Sequence, residues 1–163
     1  MQARTLIPAS TAVAATAVIG GLASRPASSP WYRSLRKPPY QPPQQAFPIV
    51  WPVLYADIAI VSSNALDEMR REGKAGARLR YVTALLVNLV LNAGWSWLFF
   101  NRHRLGASAI GAGVLAASSA DLTRRAIAIE GARATPLLVY PLWCAFATVL
   151  ASHVWALNRR SEP

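Results

Sequence analysis

One cysteine, two histidines and seven carboxylates are all that this 163-residue chain offers to redox, metal or acid–base chemistry. The lone Cys144 excludes an intramolecular disulfide. His153 follows it by nine residues within one apolar stretch. On a helix that spacing puts the two on opposite sides, so they cannot share a metal ion. The chain has no nucleophile motif, no paired carboxylates, no glycine-rich phosphate loop and no metal-ligand spacing. It also has no inverted repeat of the kind many transporters carry. Charge is scarce, at 15% of residues, against about a quarter in soluble domains.

Apolar sequence fills the space. The chain is 53% hydrophobic with a mean hydropathy of +0.26, and its charges sit in short connectors between long uncharged runs. This is the pattern of an all-α, multi-pass integral membrane protein forming one compact bundle. The net charge of +10 does not point to nucleic acid. The basic residues lie where anionic lipid headgroups meet them.

Five spans are expected, at about residues 5–23, 47–66, 81–100, 105–128 and 136–157. The first reads either as a signal peptide or as a retained helix. Its length favours the helix, and Ala12, Thr16 and Gly20 form a small-residue ridge on it. Residues 67–80 read as a charged, solvated connector with frayed helix ends. Small pairs four apart in the fourth span, such as Ala107 and Gly111, permit close approach of a neighbouring helix or a second subunit.

The stretch from Trp31 to Tyr55 organises the rest. Seven of the twelve prolines lie at Pro30 and between there and Pro52. They fix φ and make a loop that loses little entropy on adopting one shape. The loop carries Arg33, Arg36 and Lys37 and no acid. Phe47, Trp51 and Tyr55 are four apart at the start of the second span, so they share a helical face. Asn88, Asn92, Trp95 and Phe99 share a face of the third span, and Tyr140, Trp143, Ala147 and Leu150 one of the fifth. An aromatic loop feeding such stripes either forms an interfacial belt or covers the mouth of a flat, hydrophobic ligand site. The asparagines either bond neighbouring helices or orient a polar group of a ligand. Asp57 departs from the aromatic face. It is either protonated and hydrogen-bonded across a helix contact or part of a proton or substrate path.

Three ordered blocks carry a family resemblance. The first is Trp31-Tyr32, Leu35, Lys37-Pro38, Pro42-Pro43, Phe47, Val50-Trp51 and Leu54-Tyr55. The second is Leu91-Asn92, Trp95-Ser96 and Phe99-Phe100. The third is Tyr140, Trp143, Phe146-Ala147, Leu150, Trp155 and Asn158. Together they resemble the tryptophan-rich sensory protein family, also called the translocator protein or peripheral benzodiazepine receptor family. The resemblance implies a five-helix membrane bundle, often a homodimer and in a bacterium placed in the cell membrane, with a structured Pro/Trp-rich loop between helices one and two. It implies no obligatory cofactor and a porphyrin, protoporphyrin IX or haem-like, as ligand. Some relatives also take sterols or synthetic benzodiazepine and isoquinoline compounds. Carried over residue by residue, the ligand site comprises Tyr32, Pro42, Phe47, Trp51, Tyr55, Asn88, Asn92, Trp95, Phe99, Trp143, Ala147 and Leu150. The tetrapyrrole lies between Trp51, Trp95 and Trp143, with Asn88 and Asn92 orienting it and Arg36 and Lys37 meeting its propionates.

Carrier, scavenger or stress sensor is the function this implies. The alternatives are light-dependent porphyrin breakdown through Trp51 and Trp143, and a scaffold without a physiological ligand. The chain departs from the family pattern at Asn88, where many relatives have Gln, and at Asp57-Ile58, where Met-Gly is usual. Its C-terminal VLASHVWALNRR lacks the Tyr of a sterol-recognition motif.

Overall fold

The computed structural model describes residues 3–23 and 29–159. The all-helical bundle expected from the sequence is what it contains. Long helices are α1 (Ala3–Ala23), α3 (Phe47–Arg71), α4 (Ala75–Phe100), α5 (Leu105–Glu130) and α6 (Val139–Asn158), and a short α2 (Pro30–Ser34) lies in the first loop. Among the described residues there is no strand. Three continuous helical stretches are long and apolar enough to cross a membrane: Gln44–Arg71, Ala75–Phe100 and Leu105–Asn158. The last is 54 residues long and turns at Gly131, so it holds two spans. A shorter apolar stretch, Thr11–Leu22, lies within α1.

Glycine stands at two of the helix reversals. Gly73, between α3 and α4, has φ +68°, and Gly131, after α5, has φ +60°. Both are left-handed conformations that close a helix C-terminus at little cost only without a Cβ. A 3-10 segment, Gly131–Leu138, follows, burying Ala134 and Leu137 before α6 begins.

The expected solvated connector at 67–80 is nearly all helix. α3 runs on to Arg71 and α4 begins at Ala75. Apart from the buried Asp67, the charged residues there continue the helices on their more exposed faces, as Arg71 does in pairing with Glu68 one turn away. The inner face buries Leu66 and Met69, with Asp67 buried beside them. Alternating charge was compatible with either reading; the buried side of α3 decides for helix.

α1 packs against α3 and α4, α4 against α5, and α5 most extensively against α6. The core is lopsided. It fills the half of the bundle made by Ile58 to Met69 of α3, Tyr81 to Leu89 of α4, Leu115 to Ala126 of α5, and Leu137 and Tyr140. The outer faces are apolar, with Ile49, Val53, Val90, Ile110 and Leu142 all exposed. In water such a surface would drive association; in a bilayer it faces acyl chains.

The proline-rich loop is tied down from three sides. Ser29 caps α2 by accepting from the Tyr32 amide, with Pro30 in the first turn. The Asn158 carboxamide, at the end of α6, accepts from the Arg36 amide at 3.0 Å and donates to the Arg36 carbonyl at 2.8 Å. Trp31 stacks on His103 of the α4–α5 turn, ring centres 3.8 Å apart, and Tyr40 hydrogen-bonds His153. Both of the chain's histidines thus hold the loop.

Candidate functional site

Above the solid half of the bundle the helices part around a cavity of about 590 Å³ roofed by the loop. Eight aromatic residues stand on its wall. α3 contributes Phe47, Trp51 and Tyr55, and α4 contributes Trp95 and Phe99. Trp143, Ala147 and Leu150 come from α6, and Tyr32 from the loop. The helical spacings place each set on one side of its helix, so that three faces converge. Trp51 and Tyr55 lie 5.5 Å apart, Trp95 stacks on Phe99 at 5.6 Å, and Phe47 meets Trp143 edge-on at 6.0 Å. The Trp95 indole N–H donates to the Ser108 carbonyl of α5 at 3.0 Å, fixing which face of the ring the cavity sees.

Three of the residues expected at the site are not on this wall. Pro42 lies in the loop but does not reach the cavity, and neither Asn88 nor Asn92 lines it. Both asparagines are buried and engaged elsewhere. The Tyr55 hydroxyl donates to Asn92 Oδ1 at 2.8 Å, and Asn92 Nδ2 donates to the Tyr140 hydroxyl at 3.1 Å. Tyr140 donates to Asn88 Oδ1 at 2.9 Å, and Asn88 Nδ2 to Ser118 Oγ at 3.2 Å. Every link donates in the same direction, from the cavity floor into the core, and the chain joins α3, α4, α5 and α6. The carboxamides therefore bond helices rather than orient a ligand directly. Their groups must find partners away from water, and Tyr140 supplies them. Asp57 also lies off the wall, half-buried on α3.

Several wall residues have no counterpart among those expected. α1 brings Ala17, Gly20 and Gly21, α4 brings Ser96, and the loop brings Leu35, Gln41 and Gln44. The small-residue ridge of α1 was the one sequence signal pointing there. Lys37 is the only charged side chain among the described residues lining the cavity. Its ammonium sits 4.1 Å from the Tyr32 ring centre, a cation–π contact. Burial pushes the Lys37 amine below the usual lysine range and the Tyr32 phenol above its own. Arg36, expected beside Lys37, is exposed and not on the wall. No cluster of three metal-ligating side chains occurs among the described residues.

A multi-pass α-helical membrane protein with an aromatic cavity under a proline-rich loop is the class that fold and site define. The TspO/MBR family model matches residues 9–156, and the chain belongs to that family. It is 32% identical to the membrane protein YtaB of Bacillus subtilis over 133 residues, 82% of this chain and 83% of that one. It is 29% identical to the translocator protein of Ovis aries over 161 residues, 95% of this chain and 88% of the relative. Protein CrtK of Rhodobacter capsulatus is 26% identical over 82% of this chain and 81% of its own length.

The hydrogen-bonded chain gives a stability prediction. Tyr140→Phe removes one donor and one acceptor at the point where both asparagines meet. The loss should be about 1–2 kcal/mol, read as a lower unfolding midpoint in detergent. An unchanged midpoint would mean that the two carboxamides are satisfied without Tyr140.

Proposed function

We propose that the cavity binds a tetrapyrrole of the protoporphyrin type, with the protein acting as its membrane carrier, scavenger or sensor. One observation carries this reading: three aromatic faces, centred on Trp51, Trp95 and Trp143, converge on a single cavity that has one cation at its rim. A volume of about 590 Å³ falls within the range of about 300–1,000 Å³ typical of small-molecule sites. Flat aromatic walls favour a flat, polarisable ring by offset and edge-on contact. A ligand apolar in the middle and anionic at one edge fits this distribution, because its carboxylates meet Lys37 near the headgroups while the ring stays in the dry interior. An interfacial belt would spread its aromatics around the outside at headgroup level; here they face one another across an enclosed space.

Titrating protoporphyrin IX into detergent-purified protein, with tryptophan fluorescence as the signal, tests this. Binding should saturate, and Trp51→Ala should weaken it roughly thirtyfold, as expected for removing a central aromatic anchor. Equal, unsaturable quenching in both proteins would mean partition into the micelle and would favour the scaffold alternative.

The pH dependence follows from Lys37. Only the protonated amine attracts a carboxylate. Affinity should therefore be full at neutral pH and fall as pH rises through the Lys37 pKa, which burial sets below the ordinary value of about 10.4. Lys37→Met should bind more weakly at neutral pH and lose the alkaline fall. Parallel curves for the two proteins would remove Lys37 from the site.

A further inference from the structure

At its floor the cavity holds a second polar spot, remote in chemistry from Lys37. Ser96 lines the cavity yet is only 7% exposed. Among the described residues no hydrogen bond is made by its hydroxyl, which opens to the cavity. Tyr55 lies close by, and its proton is committed to Asn92. The Tyr55 oxygen keeps its lone pairs, and donating to Asn92 makes it a better acceptor. Both oxygens flank the same small space over α1, where Gly20 has no side chain. A Cβ on Gly20 would sit 3.5 Å from the Tyr55 hydroxyl oxygen and 3.7 Å from Ser96 Oγ.

We propose that Ser96 and Tyr55 form a subsite for one ligand oxygen that both donates and accepts, a hydroxyl on the ring edge opposite the ligand's carboxylates. The assignment of roles follows from the direction of the buried chain. Tyr55 has already given its proton, so it accepts from the ligand hydroxyl. Ser96 has not, so it donates to the same oxygen. A bare hydrocarbon edge leaves the Ser96 hydroxyl unmatched in a dry pocket. A charged carboxylate there would be repelled by the Tyr55 lone pairs and would lack a counter-ion. The site therefore ranks ring compounds by what they carry at the inner edge, while Lys37 handles the outer one. Sites built to hydrogen-bond a hydroxyl reject analogues lacking it because their own polar groups are left unpaired.

This inference rests on the tetrapyrrole reading, and two porphyrins separate them. Haematoporphyrin IX carries hydroxyethyl groups on the edge opposite its propionates; mesoporphyrin IX carries ethyl groups in the same places. Each is titrated into wild type, Ser96→Ala, Ser96→Thr and Gly20→Ala. Wild type should prefer haematoporphyrin by roughly fivefold to tenfold, the worth of a net hydrogen bond or two. Ser96→Ala should abolish the preference, weakening haematoporphyrin and strengthening mesoporphyrin as the unmatched hydroxyl is removed, and Ser96→Thr should retain it. Gly20→Ala places a methyl at ordinary contact distance, so the bundle is not strained, and the methyl occupies the subsite and removes the preference. Saturable binding of both porphyrins with no preference, or a preference that survives Ser96→Ala, overturns the subsite and leaves the tetrapyrrole reading standing. Saturation by neither porphyrin overturns both.

Discussion

The run of hydrogen bonds from Tyr55 through Asn92, Tyr140 and Asn88 to Ser118 is the constraint on which the rest depends. In a bilayer, helices gain little from burying apolar surface against one another, because lipid is as apolar as they are. Association needs close packing, directional bonds or both. Here α5 and α6 pack closely through small residues, while α4 and α6 meet at one buried phenol and α3 joins them through Asn92. Asn92 and Asn88 lie four residues apart on α4, and Tyr140 fits between them, giving its proton to one and taking a proton from the other. Because the donors all run one way, no amide or hydroxyl in the chain has to share or reverse its role.

That arrangement frees the half of the bundle above it. Below Tyr55 the helices are packed solid; above it they can separate without losing the contact that registers them. Leu54 and Ile58 are buried, whereas Phe47, Trp51 and Tyr55 remain partly open on the same helix. The gap is then closed from outside by a loop that is stiff in itself and anchored at Arg36, Trp31 and Tyr40 to three distant points. A hollow intramembrane site is costly when its walls can collapse. Rings held edge-on and stacked resist collapse better than flexible aliphatic chains, and the Trp95 N–H bond to Ser108 holds one of the walls in place.

The sequence made the aromatic half of this legible and the polar half ambiguous, for a physical reason. Phe47, Trp51 and Tyr55 are a local pattern, and helical periodicity alone puts them on one face. Asn88 and Asn92 were legible as a stripe, but a stripe does not say what it meets. Their partner Tyr140 is 52 and 48 residues away, and no local spacing encodes that pairing. Asn92 and Trp95 are near neighbours on α4, yet one turns into the bundle and the other to the cavity. The width of the shared face hid that division. The Asn158 clamp on Arg36 spans 122 residues, and in the sequence Asn158 is only the last residue of the third block. Pro42 belongs to the same block as the wall residues of the loop but does not line the cavity. Ser96 stands beside Trp95 in the second block, but a serine in a span usually bonds its own helix, so its residue type does not point to the cavity.

A double-mutant cycle across the buried chain tests the central claim most directly. Tyr55→Phe and Asn88→Leu change residues at or near its two ends that share no hydrogen bond with each other. Unfolding midpoints of wild type, both single variants and the double variant in one detergent give their coupling. If one continuous polar chain registers the helices, the second change costs less once the first has broken it, with a coupling of about 0.5 kcal/mol or more. Simple additivity would show that the bonds act singly, and that the bundle is held together by packing rather than by this chain.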